Sequence, residues 1–86
     1  MAVEIVITEE LKERTAITVM RMMVMSLAEK RGISFEEALF EFVQSDTYEA
    51  LFDFETAIWK EGPVYLNSLY QRELADSGIA QLQETV

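Results

Sequence analysis

Carboxylates dominate the reactive inventory of this chain: it has 16 Asp and Glu, no His and no Cys. Nucleophile–base pairs built on an imidazole or a thiolate are therefore excluded, and so are the usual zinc ligand sets. Ser26, Ser34, Ser45, Ser68 and Ser77 have no activating partner in the sequence. Carboxylate pairs can hydrolyse glycosides, but no acid pair stands out along this short chain. There is no Gly-rich phosphate loop, no calcium loop and no Glu-x-x-His pair. The pattern predicts no enzyme, no catalytic residue, no metal site and no cofactor.

Two carboxylates break the local pattern. Glu55 falls near the middle of an apolar arc with Tyr48, Leu51 and Trp59, and Glu73 does the same further on. Both are expected to be shielded. A shielded carboxylate must be paired, hydrogen-bonded or neutralised. Two readings stay open: a polar contact of functional weight, or a long side chain that escapes to solvent or meets a Tyr hydroxyl, the Trp indole or Arg21.

The elements that would carry these groups are helices. Thr8 is a predicted N-cap followed by Glu9 and Glu10, and Lys30, Arg31 and Gly32 mark a helix end. At about 100° per residue, Ala16, Ile17, Val19, Met20, Met23, Val24 and Leu27 fill one broad apolar arc, the expected core face. Leu11, Thr15, Thr18, Met22 and Met25 form a second row on the opposite side. Its 4-3-4-3 spacing is that of a helix-packing seam, and the row is a candidate interface.

Ser34 with Glu37 predicts the start of helix two. Phe35, Ala38, Leu39, Phe42 and Val43 share one face; Phe40 lies outside it and is a further candidate interface residue. A break is expected near Ser45 and Asp46. Helix three is expected from about Thr47 to Glu61, with Glu49, Asp53, Thr56 and Lys60 on its wet face. Gly62-Pro63 ends it and opens helix four, expected over 63–76 with Tyr65, Leu66, Leu69, Tyr70 and Leu74 facing inward. Residues 2–7 are β-branched and read as a short extended segment, and 79–86 as a frayed tail. The prediction is an all-α single domain over 1–86: a compact bundle of about four helices, or three plus a long bent one, with an extended N-terminal arm over 1–7.

Charge narrows the partners. The net charge is −9. Residues 1–32 carry five acids and five bases, whereas 33–62 carry eight acids and only Lys60. Such a surface repels phosphate backbones, so direct nucleic-acid binding is not expected and a basic protein partner is favoured. The longest apolar stretch, Ile17 to Leu27, is interrupted by Arg21 and is shorter than the ~20 residues of a membrane helix. No signal-peptide pattern precedes it, and the expected location is the cytoplasm.

The middle of the chain resembles a family of small bacterial helical proteins of unknown function. The resemblance rests on Gly32-Ile33-Ser34 with Glu37 and Phe42, then Tyr48, then the run from Ile58-Trp59-Lys60-Glu61-Gly62-Pro63 to Leu66. It implies a helical fold and an antitoxin-like or accessory role, and no activity or site residues.

An 86-residue chain buries only roughly 60–65% of the surface it exposes when unfolded. With disulfides and zinc closed to it, oligomerisation is the remaining source of stability. The expected function is a non-enzymatic, homodimeric interaction module. The alternatives are a transcription-associated regulator, or a small-molecule sensor with a pocket among Met20, Phe42, Phe52 and Trp59.

Overall fold

In a computed structural model the chain is described over residues 8–85, with side chains described through Asp76. The described residues form four α-helices and no strand: α1 (Glu9–Arg31), α2 (Phe35–Phe42), α3 (Asp46–Phe52) and α4 (Pro63–Thr85). Two short 3-10 turns, Phe54–Thr56 and Ile58–Lys60, link α3 to α4. The expected extended arm over 1–7 lies outside the described residues.

Helix ends follow the capping residues. Leu11 N–H donates to the Thr8 hydroxyl at 3.1 Å, and Glu37 N–H donates to the Ser34 hydroxyl at 3.1 Å. Gly32 adopts φ 66°, a left-handed conformation that costs glycine little. Beyond it, Ile33 N–H returns to the Ala28 carbonyl at 3.0 Å, the long bond of a Schellman stop.

The core forms where α1 meets the other three helices. Ala16, Val19, Met23, Val24, Leu27 and Ala28 of α1 are buried against Ala38 and Phe42 of α2, Leu51 of α3, and Leu66 and Tyr70 of α4. Phe42 is fully buried at the centre. Tyr48 and Tyr70 meet its ring edge-on, with centroids 5.9 and 5.0 Å away. Edge-to-face pairs of this kind add to the burial of the rings themselves.

Four sequence expectations are corrected here. Helix three does not run to Glu61: α3 ends at Phe52. Asp53 accepts the Glu55 N–H at 3.2 Å, and the Thr56 hydroxyl donates to the Ala50 and Asp53 carbonyls, each at 2.8 Å. These side chains offer the backbone an alternative to continued helix. Helix four does not stop near Asp76 but continues through Gly78 to Thr85. A single glycine with no following proline costs a helix only ~1 kcal/mol, so the tail expected to fray is helical as far as Thr85. Ile17, expected in the core, is 38% exposed. The eight residues of α2 cover about 12 Å of the roughly 35 Å length of α1, leaving this flank open. Tyr65 and Leu74, expected to face inward, are likewise exposed, and so is Val43 at the edge of the face it shares with the buried Phe42.

Ala57 joins the two 3-10 turns at φ 59°, the one non-glycine residue with positive φ among those described. A side chain with a Cβ is disfavoured in this region by about 1 kcal/mol. Ala57→Gly is expected to raise stability by ~0.5–1 kcal/mol, read as a higher urea midpoint at unchanged slope. A lower midpoint would show that the Ala57 methyl contributes more by packing than it loses by strain.

Candidate interaction surface

Among the described residues, nothing covers the second row of α1. Leu11, Met22 and Met25 are 43, 54 and 59% exposed; Thr18 is exposed and Thr15 half-buried. The two threonines are less polar here than their composition suggests. The Thr15 hydroxyl donates to the Leu11 carbonyl at 2.9 Å, and the Thr18 hydroxyl to the Arg14 carbonyl at 3.0 Å. With both hydroxyl protons turned back onto the helix, the row is largely apolar.

Arg14 and Arg21 border the row. Arg14 pairs with Glu10 one turn earlier at 2.9 Å, an exposed pair of little energetic weight. Arg21 has no ion-pair partner among the described residues.

Val64 extends this surface onto α4. It is 84% exposed and shares with Met22 a groove of about 230 Å³ that also touches Met23, Ser26, Lys30, Pro63 and Asn67. Its only mark in the sequence is its position just after Gly62-Pro63 and off the inward stripe of helix four. A larger groove of about 860 Å³ shares Lys30 and Asn67 with the first and is floored by Leu27, Tyr70 and Leu74. At its rim Arg31 of α1 pairs with Glu41 of α2. That hydrogen bond holds the Glu41 carboxyl below its usual range and raises Arg31.

Phe40 is 68% exposed on the outer face of α2, apart from the buried Ala38 and Phe42. One helical turn to either side of it stand Glu36 and Gln44, with Glu37 and Val43 at the three-residue spacing.

The two unusual carboxylates have different surroundings. The expectation that Glu55 is shielded is corrected: it is exposed, and no described hydrogen bond reaches its carboxylate. The break at Asp53 removes Glu55 from the helical face on which Tyr48, Leu51 and Trp59 were expected to surround it. Glu73 is half-buried and reaches across from α4 to the start of α3. It accepts from Asp46 N–H at 3.0 Å, Thr47 N–H at 2.8 Å and the Thr47 hydroxyl at 2.6 Å. The Ser45 hydroxyl completes the set. It accepts from Tyr48 N–H at 3.1 Å and donates to the Phe42 carbonyl at 2.6 Å, so one side chain closes α2 and opens α3. The three leading N–H groups of α3, orphans in any helix, are thus all engaged. Burial pushes the Glu73 carboxyl up, but the bonds from Thr47 and Asp46 together outweigh it and hold the group below its ordinary value.

Phe42 is wholly buried and Met20, Phe52 and Trp59 pack against the core; neither groove is lined by any of these four. Among the described residues, no cluster of three or more acidic side chains is arranged to hold a metal ion, and no helix is long and apolar enough to cross a membrane.

Glu73→Ala leaves the Asp46 and Thr47 donors without their partner, and a loss of about 1–2 kcal/mol is expected in urea unfolding. Since folding lowers the Glu73 value, its stabilisation is present above the ordinary value of 4.5 and is lost as pH falls through the folded value. Glu73→Gln should therefore be less stable than the native chain at pH 7 and converge on it in acid. A parallel pair of stability–pH curves would show that the Glu73 charge contributes nothing.

Comparison with protein-family models, with curated proteins and with solved structures finds no match to this chain. Its functional reading rests on the surface geometry described above.

Proposed function

We propose that this protein is a non-enzymatic interaction module that forms a homodimer through the outer row of α1. The observation that carries the reading is the exposure of Met22 and Met25, 54 and 59%, on the same helix whose other side supplies half the core. Exposed apolar residues in register along one helix mark an association surface more than scattered ones do. Methionine suits such a surface because its flexible, polarisable side chain adapts to a partner. The small size of the domain and its lack of cysteine and histidine add to the case, since association is the remaining source of stability.

In this reading the module acts in the cytoplasm as an antitoxin-like or accessory subunit. Its acidic stretch over 33–62 is the surface for a basic protein partner. In this reading nucleic acid is not a direct partner, because a net charge of −9 repels a phosphate backbone, and no helix among the described residues is long and apolar enough to cross a membrane.

The row is one helix wide, short of the ~800 Å² per partner of a standard interface, so the dimer is expected to dissociate at about micromolar concentration. Size-exclusion chromatography with light scattering over a hundredfold concentration range is the test. The expected result is a mass rising from one chain to two. Met22→Glu with Met25→Glu should hold the protein at one chain throughout. A native chain that stays monomeric at millimolar concentration, or a dimer indifferent to the double substitution, would overturn the proposal.

A further inference from the structure

Two of the exposed apolar surfaces among the described residues carry opposite charges. Across the row of α1, from Leu11 to Met25, three bases (Lys12, Arg14 and Arg21) stand against one acid, Glu13. From Ile33 to Trp59, the stretch that holds Phe40, there are seven acids and no base. Phe40 is the most exposed aromatic side chain described, and Glu36 and Glu37 flank it. On α1, Thr15 and Thr18 lie between Leu11 and Met22, and Arg21 beside them has no ion-pair partner among the described residues.

We infer that the outer face of α2 in a second copy is what covers the outer row of α1, with Phe40 seated on Thr15 and Thr18 and Glu36 facing Arg21. The inference rests on the self-association proposed above and names the surface that meets α1. Charge is the reason for choosing α2 over a second α1. Two copies of α1 packed antiparallel about Thr18 bring Arg14 of one against Arg21 of the other, because their positions lie almost equally far to either side of Thr18. Packed parallel, they bring together two copies of the same predominantly basic row. Like charges across a contact disfavour it, whereas the α2 face offers Glu36 and Glu37 to Arg21, the arginine that Glu10 does not already pair. Side-chain size agrees: the bulky exposed Phe40 ring would meet the two small threonines of the row rather than another large side chain. Each copy then uses one face as donor and the other as acceptor of the contact. Two copies close into a dimer when both contacts form between them, and grow head to tail otherwise.

A mixing experiment tests this. Met22→Glu with Met25→Glu disables the α1 face; Phe40→Asp disables the α2 face. All three positions are more than half exposed, so the core is untouched. Circular dichroism checks the fold, and Glu36→Arg replaces Phe40→Asp if that variant unfolds. Sedimentation velocity is run on each variant alone and on the equimolar mixture. Each alone should associate at least tenfold more weakly than the native chain, and the mixture should form a 1:1 complex, because one intact α1 face meets one intact α2 face. If the α2-face variant associates like the native chain while the α1 variant does not, α1 is covered by something other than α2. The present inference then fails while α1-mediated association stands. If both variants are monomeric and the mixture stays monomeric, the inference also fails. A native chain that never associates would remove both proposals together.

Discussion

Every other α-helix in this fold packs against α1, and among the described residues the outer row of α1 stays largely exposed. That constraint follows from lengths. A helix of 23 residues is roughly 35 Å long, while α2 and α3 have eight and seven residues. Two short helices and one long one can wrap half of such a cylinder. The sequence of α1 nevertheless places apolar residues around more than half of it, from the buried Met23 and Val24 to the exposed Met22 and Met25. Core formation and surface exposure are therefore linked: the residues that complete one cannot be used to cover the other.

The short helices are held by side chains more than by their own propensity. Seven residues are far below the length at which a helix is stable alone in water. α3 persists because Ser45 and Glu73 engage its first three N–H groups and Leu51 is buried at its far end. Glu73 comes from α4, 26 residues away from Thr47, so the cap also joins two helices across the loop between them. Arg31 and Glu41 tie α1 to α2 beside the larger groove, in a more solvated setting and with correspondingly smaller weight.

How much of this was legible in the sequence depends on what enforces each feature. Gly32 and the Gly62-Pro63 pair end and begin helices through backbone constraints that belong to the residues themselves, and both boundaries stand in the structure. The end of α3 has no such residue. It depends on Asp53 and Thr56 choosing local hydrogen bonds, and on Ala57 accepting a left-handed conformation that its side chain disfavours. Periodicity read straight across that break placed Glu55 on a buried face it does not occupy. The unusual position of Glu73 was visible, but its partners were not, because backbone donors 26 and 27 residues away leave no mark in the sequence. The outer row of α1 was legible because a 4-3-4-3 spacing repeats within one uninterrupted helix. Val64 was not, since its exposure depends on how α4 turns against α1.

The acidic character of the chain acquires a direction once it is placed on the fold. The acids concentrate in the segment that includes α2 and α3, and the outer side of α1 between Arg14 and Ala28 carries none. A surface that is apolar, adaptable and bordered by arginines is thereby set against a surface that is acidic and bears one exposed ring. The central claim is that the outer row of α1 is covered by protein in solution. Methyl-labelled methionine NMR across a dilution series tests it most directly. The account predicts that the Met22 and Met25 methyl signals shift with concentration while those of the buried Met23 and half-buried Met20 stay in place. Four methionine signals unchanged from micromolar to millimolar concentration would contradict it.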